Sequence, residues 1–278
     1  MPEGHTIHRL ARDHADAFVG RPLQLSGPQG RFAGVERLRG REMTATDAHG
    51  KHLFLGFGED PDEGPDADWI HIHLGLFGKY TWGLAPAPPP TATVRLRIQA
   101  ESYADLRGPT ACALVTPAEK AAIHDRLGPD PLRDAGDATD DPARAWARVS
   151  RSRTTIAALL MDQKVVAGVG NVYRAEVLFR HGIDPYRPGK DLTPGEWDAI
   201  WADLRALMRD GVRDNRIDTV RPEHTPEATG RAPRKDDHGG EVYVYRRTAM
   251  PCLLCGTPVR TAPLAHRNLF WCPTCQRR

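Results

Sequence analysis

Two sets of residues in this chain could do chemistry. The first is Met1-Pro2-Glu3-Gly4. Methionine is normally removed before a small residue, so the mature chain is expected to begin with the secondary amine of Pro2 beside the carboxylate of Glu3. An α-amino group titrates near pH 8, so roughly 10% of it is neutral at pH 7, against under about 0.1% of a free lysine. Only the neutral amine adds to a carbonyl carbon, and a secondary amine then gives a cationic iminium, an effective electron sink. Taken alone, this start reads better as a merely tolerated second residue. The second set is Cys252-Leu-Leu-Cys255 and Cys272-Pro-Thr-Cys275, two C-x2-C pairs with sixteen residues between them. That spacing fits a four-thiolate zinc ribbon. A redox C-x-x-C is one competing reading, and two disulfides are the other. The odd fifth cysteine, Cys112, and the absence of a signal-peptide pattern speak against disulfides. About thirty residues cannot bury an adequate core without such a staple.

A third segment, Asp162 to Asn171, carries Gly168 and Gly170 directly ahead of a helical pattern. Glycines there let backbone N–H groups converge on an anion, aided by the helix dipole. Asn171 is placed either to cap that helix or to hold a phosphate. A dinucleotide fingerprint is excluded, because Tyr173 stands where the third glycine belongs and no strand precedes.

Composition sets limits on partners and location. Net charge is +2 over 278 residues, but residues 1–140 carry −5 and residues 141–278 carry +7. The last 33 residues hold six arginines and no carboxylate, which suits a polyanionic partner. Arginine outnumbers lysine 32 to 6. Bidentate phosphate contacts favour that bias, although an Ala/Pro/Arg-rich composition accounts for much of it. No apolar run approaches the roughly 18 residues of a membrane span, so a cytoplasmic protein without membrane contact is expected.

The elements that must position these residues follow from periodicity. Residues 6–18 read as an amphipathic helix capped by Thr6, with Ile7, Leu10, Ala11, His14 and Phe18 on one face and Gly20 at its end. From about 23 to 107, runs such as Ile70-His71-Ile72-His73-Leu74 alternate, as half-buried antiparallel strands do. An acidic loop at 59–68 and a proline-rich loop at 85–90 interrupt them. Helices follow from the capping box Thr116-Pro117-Ala118-Glu119 to Gly128, then at 142–149, 154–161, 171–181 and 194–210, the last behind a second capping box at Thr193. The expected fold is α+β: residues 1–128 form an antiparallel β-sandwich with flanking helices, 129–141 a linker, 142–245 a helical domain with a polar loop at 214–240, and 246–278 the zinc ribbon. His71 and His73 share a strand face; without a nearby carboxylate they read as structural rather than as a metal pair. Cys112 reads as a small buried residue.

Taken together, Pro2-Glu3-Gly4, Gly50-Lys51-His52 on a hairpin, Asp162 to Glu176, and the ribbon with Arg267 ahead of Cys272 resemble the formamidopyrimidine-DNA glycosylase/endonuclease VIII family across nearly the whole chain. The resemblance implies a β-sandwich, a helix–two-turn–helix domain and a zinc finger. It also implies a bifunctional DNA glycosylase/abasic-site lyase of base excision repair. Its roles transfer by position. Pro2 attacks the sugar C1′ and forms the iminium, and Glu3 moves protons. Lys51 binds the phosphate beside the lesion and assists cleavage by β,δ-elimination. Asn171 and Arg267 grip flanking phosphates, Arg267 thereby supporting catalysis. Leu76 and Phe77 fill the gap left by a flipped base, with core packing as the competing reading. Cys252, Cys255, Cys272 and Cys275 hold one structural zinc, and no other cofactor is implied. The implied partner is damaged DNA, double- or single-stranded, bound by a monomer at the nucleoid.

Two departures mark the chain. His5-Thr6 stands where the family pattern continues Pro-Glu, and Asp105 to Thr110 lacks the Arg-x-Phe wedge of the oxidised-purine branch. The second departure and the Leu76-Phe77 pair place it nearer endonuclease VIII and oxidised pyrimidines. A catalytically weak or silent zinc-ribbon protein that binds damaged or single-stranded DNA is the alternative. It would have no need of Pro2, Glu3 and Lys51 together.

Overall fold

A computed structural model describes residues 2–62, 68–133, 141–235 and 240–277. Met1, part of the acidic loop, most of the expected linker and residues 236–239 lie outside the described residues. The chain forms two compact units, residues 1–126 and 127–278.

The first unit begins with helix α1 (Gly4–Phe18) and carries two four-stranded antiparallel sheets. One sheet has the order β1 (Gln24–Ser26), β6 (Val94–Gln99), β7 (Ser102–Arg107), β5 (Lys79–Leu84). The other has the order β2 (Met43–His49), β3 (His52–Phe57), β4 (Asp68–His73), β8 (Ala111–Val115). Alternation decides which residues meet: Leu53, Leu55, Ile70, Ile72, Leu96, Ile98 and Leu106 face inward and pack with Ile7, Leu10 and Phe18 of α1. Each such side chain contributes roughly 1.5–3 kcal/mol on burial. Strand β8 extends the sandwich past the expected end at 107, because Ala111–Val115 pairs with Trp69–His73.

α1 also starts earlier than residue 6. Glu3 is its N-cap in extended conformation, and Thr6 donates its amide to the Glu3 carbonyl at 3.0 Å, so Thr6 lies within the first turn. Helix α2 (Pro117–Asp125) begins at the capping box Thr116/Glu119 and contacts the outer face of β4 and β8. There Lys120 Nζ sits 3.5 Å above the Trp69 ring centroid.

The second unit is helical, with a two-stranded ribbon. α3 (Pro142–Val149) starts at Asp141, whose side chain accepts from the Ala143 amide at 2.8 Å. α4 (Ile156–Leu159), α5 (Asn171–Arg180), α6 (Pro194–Asp214) and α7 (Pro226–Thr229) follow. α6 runs four residues past its expected end and buries Trp197, Ile200, Trp201, Leu204, Leu207 and Met208, a 3.6-residue stripe. β9 (Arg260–Leu264) and β10 (Arg267–Trp271) form a hairpin whose tip, Ala265-His266, takes positive φ at both residues.

Candidate active site and nucleic-acid interface

In the first unit, Pro2 is half-buried and Glu3 is fully buried at the N-terminus of α1. An anion there is stabilised by the positive end of the helix dipole. His5, one of the departures, is buried next to it, and burial holds its imidazole down to about pH 4, so it is neutral at pH 7. Lys51 stands on the two-residue turn between β2 and β3, where His49 pairs with His52 and Gly50 takes a φ of 58°. The backbone carbonyl of Lys51 accepts a hydrogen bond from His73 Nδ1 at 2.9 Å. His73, expected to be merely structural, is thus tied to the Lys51 turn. Its pairing across two strands was not visible in sequence.

Leu76 and Phe77 occupy the turn between β4 and β5 and are 47% and 84% exposed. Neither belongs to a core, which removes the packing reading. Flanking glycines make that exposure possible. A Cβ on Gly75 would sit 1.9 Å from Thr110 Oγ1, and one on Gly78 2.3 Å from the Leu74 carbonyl oxygen. The turn is closed by Gly78 N–H donating to the Leu74 carbonyl at 2.9 Å, and the Thr110 amide donates to the His73 carbonyl at 2.8 Å.

In the second unit, Gly170 rather than Asn171 is the N-cap of α5, and Asn171 is its first residue. Asn171 instead donates from Nδ2 to the Asn268 carbonyl at 2.9 Å and accepts at Oδ1 from Arg174. The expected convergence of glycine amides is partly spent: Gly168 N–H donates to Gln163 Oε1 at 3.0 Å. Gln163 Nε2 donates to the Val169 carbonyl at 2.9 Å, so this one side chain staples the loop. Arg267, half-buried, opens β10 directly after the hairpin tip, and its Nη1 donates to the His266 carbonyl.

Two further buried side chains escaped the sequence reading. Arg174 is fully buried beneath Asn171. Glu176, also fully buried, accepts from the amides of Tyr243, Val244 and Tyr245 at 2.7–2.8 Å and from Thr219 Oγ1 at 2.6 Å. It fastens the segment leading to the ribbon onto α5. The only available signal was a carboxylate in the middle of a helix with no exposed face.

The Sγ atoms of Cys252, Cys255, Cys272 and Cys275 lie within 4.8 Å of one another, the one group among the described residues arranged to hold a metal ion. The Cys252–Cys275 and Cys255–Cys272 separations are 3.8 and 3.5 Å. A tetrahedral zinc with Zn–S of about 2.3 Å requires edges of about 3.8 Å. The four thiolates therefore fit one structural zinc. Amide groups support them, Leu254 N–H pointing at Cys252 Sγ and Cys275 N–H at Cys272 Sγ. Gln276 links the ribbon to the helices, accepting from Cys272 N–H at 2.9 Å and donating to the Ile183 carbonyl at 3.0 Å. Cys112 is buried in β8 and takes no part.

Three family models match in order: the formamidopyrimidine-DNA glycosylase N-terminal domain over residues 1–112, its H2TH domain over 127–221, and the zinc finger found in FPG and IleRS over 251–278. "Endonuclease 8 1" of Mycobacterium tuberculosis is 49% identical over 282 residues, covering 99% of this chain and 100% of that one. The chain belongs to the formamidopyrimidine-DNA glycosylase/endonuclease VIII family. The formamidopyrimidine-DNA glycosylase of Thermomicrobium roseum is 30% identical over 301 residues, with 99% and 98% coverage. The fold agrees with the crystal structure of Thermus thermophilus MutM (TM-score 0.71, 24% identity, 99% and 98% coverage). It agrees equally with a Lactococcus lactis Fpg complex with DNA containing an abasic site (TM-score 0.74, 19% identity, 99% and 100% coverage). Membership makes the chain a DNA glycosylase and abasic-site lyase of base excision repair. No described helix is long and apolar enough to cross a membrane.

Proposed function

We propose that this enzyme removes oxidised pyrimidines through an iminium on Pro2, the observation that carries the mechanism being Glu3 buried at the N-terminus of α1. The Pro2 nitrogen, exposed by removal of Met1, attacks the sugar C1′. The glycosidic bond from C1′ to the base breaks, its electron pair leaves with the base, and the base takes up a proton to replace the one that the Pro2 nitrogen gives up. Glu3 delivers a proton to the sugar as the ring opens, and the C1′–N⁺ iminium remains. Loss of a C2′ proton to a base then expels the 3′ phosphate, and δ-elimination expels the 5′ phosphate. Hydrolysis returns the free amine.

Lys51, Asn171 and Arg267 are read as phosphate contacts, which position the strand without reading sequence. Leu76 and Phe77 are read as the wedge that replaces lost stacking. The division into 1–128, 142–245 and 246–278 is read as catalytic sandwich, helical DNA-binding domain and zinc finger, in a monomer acting at the nucleoid. The preference for pyrimidines rests on the 49% identity to an endonuclease 8 and on the missing Arg-x-Phe segment. Borohydride trapping on oligonucleotides carrying oxidised pyrimidines, oxidised purines or an abasic site tests the whole reading. The expected result is a crosslink on the N-terminal peptide, strongest with pyrimidine lesions. A protein that binds all three and traps none is the catalytically silent alternative.

A further inference from the structure

The outer face of the β2-β3-β4-β8 sheet carries a group of histidines that the proposed chemistry does not use. His49, at the end of β2, places Nδ1 3.1 Å from His124 Nδ1 on α2, and His124 Nε2 lies 3.4 Å from Asp47 Oδ2. His52, opening β3, shares a 2.8 Å hydrogen bond between its Nδ1 and His71 Nε2 on β4. His52 also stacks on His71 and His73, with centroids 5.1 and 4.8 Å apart. His71 stacks in turn on Phe54 at 5.0 Å. His73 donates from Nδ1 to the Lys51 carbonyl. Residues 49, 51 and 52 span one tight turn, so imidazoles grip that turn on both flanks and at its tip.

We propose that His49, His52, His71, His73 and His124 are positioning residues for Lys51, a set of imidazoles whose hydrogen bonds and stacking fix the 49–52 turn to β4 and α2 and whose His52–His71 bond lets go when both of its rings are protonated. The proposal rests on Lys51 being the phosphate-binding group of the strand-cleavage step. A lysine ammonium sits at the end of a flexible stem, so its reach is defined only if its backbone is held. An N–H···N bond between imidazoles needs one unprotonated acceptor, so two imidazolium rings cannot share it.

The surroundings of His52 and His71 oppose their protonation. Facing this group are Asp47 from β2, Lys120 and His124 from α2, Arg126 just beyond α2, and Asp62, which pairs with Lys120. β8 contributes only Ala111, Ala113 and Val115 opposite His73, His71 and Trp69. Burial first, and then the neighbouring histidines, hold His52 down to about pH 3 and His71 down to about pH 4. His52 and His71 are therefore neutral where the enzyme works. As pH falls below the ordinary imidazole value near 6.5, protons are taken up preferentially by states in which the turn has let go.

The test uses the full-length protein and hydrogen-exchange protection of residues 43–57, with β6 and β7 as internal reference. In the wild type, protection factors at the 49–52 turn should fall more than tenfold between pH 7.5 and 5 while β6 and β7 hold theirs. His71→Phe keeps the stacking on Phe54 but lacks the nitrogen, and should lose that protection already at pH 7.5. His71→Gln can still exchange a hydrogen bond with His52 and does not titrate. It should keep the turn protected at pH 7.5 and carry protection to lower pH, a rescue that a merely space-filling role would not give. Strand cleavage of abasic DNA should fall severalfold in His71→Phe, and combining it with Lys51→Ala should add nothing to Lys51→Ala alone. Turn protection equal to wild type in His71→Phe at every pH overturns the clamp. Lys51→Ala with undiminished cleavage overturns the reading of Lys51 itself, and the exchange data then report separately on whether the clamp exists.

Discussion

Asn171 donates to the backbone carbonyl of Asn268 at 2.9 Å, which ties the first turn of α5 to the ribbon hairpin one residue from Arg267. The bond makes the two proposed phosphate contacts parts of one rigid piece. Its Oδ1 is engaged by Arg174, so only N–H groups of the Asn171 amide can serve an anion. Asn171→Asp is close in shape but loses both donors and places a negative charge where a phosphate should bind. Its carboxylate can pair with the Arg174 guanidinium, so the fold should survive. We expect Tm within a few degrees of wild type and at least tenfold weaker binding to abasic-site duplex. Equal affinity in a titration at fixed salt would remove Asn171 from the interface.

Arg267→Ala should act differently, because it deletes a charge. Each phosphate neutralised by a cation contributes about 0.9 to the slope of log K against log salt on duplex DNA. Affinity for damaged and undamaged duplex should fall alike, and the slope should flatten by about one contact. A loss confined to damaged DNA would show that Arg267 reads the lesion instead.

The ribbon predicts a clear division among the five cysteines. Serine at Cys252, Cys255, Cys272 or Cys275 should abolish a stoichiometry of about one zinc per chain, whereas Cys112→Ser should leave it unchanged. Loss of the metal frees the hairpin carrying Arg267 and Asn268, so DNA affinity should fall with it. Zinc-depleted protein with wild-type affinity would disconnect the ribbon from DNA binding.

How much of this was legible in the sequence depended on sequence separation. The two C-x2-C pairs, both capping boxes and the inward alternation of Ile70 and Ile72 in β4 are local patterns, and the structure places them as read. Asn171 illustrates the limit: a polar residue ahead of a helix signals a cap, yet a carbonyl 97 residues away takes its amide. Glu176 and Arg174 look like ordinary helical charges until the residues that bury them come from segments 40 to 90 positions distant. The histidines at 49, 52, 71, 73 and 124 were individually visible, but only the β3–β4 register and the approach of α2 bring them together.

Buried histidines also predict acid sensitivity. Burial holds His14 down to about pH 4 despite an opposing bond from its Nδ1 to the Leu10 carbonyl, and it holds His5 down to a similar value. In the unfolded chain both titrate near 6.5. Their neutral forms are favoured by folding, so the stability they confer is complete above about pH 6.5 and is lost as pH falls towards 4. The loss by pH 4 amounts to roughly 3 kcal/mol per group. Urea unfolding should show a declining midpoint from pH 7 to 5, less steep in His14→Phe. An unchanged slope in that variant would mean His14 is not a linked group.

The exposed pair on the β4–β5 turn bears on where specificity lies. Phe77 is 84% exposed on a turn held by Gly75, Gly78 and Thr110. Truncating it removes no core contact, so Phe77→Ala and Leu76→Ala should leave Tm within about 2 °C of wild type. Extruding a nucleotide from a duplex breaks stacking worth a few kcal/mol, which an inserted apolar side chain partly restores. Excision from duplex DNA should therefore fall at least tenfold in Phe77→Ala. Single-stranded substrates and pre-formed abasic sites, where little stacking is lost, should be cleaved at rates within about threefold of wild type. Gly75→Ala makes a complementary test: its side chain would collide with Thr110, at a position whose φ of 66° already disfavours alanine. It should displace the wedge and mimic Phe77→Ala on duplex DNA while lowering Tm as well. Equal losses on duplex and single strand in Phe77→Ala would show that the turn serves general DNA contact and that base extrusion is supported elsewhere.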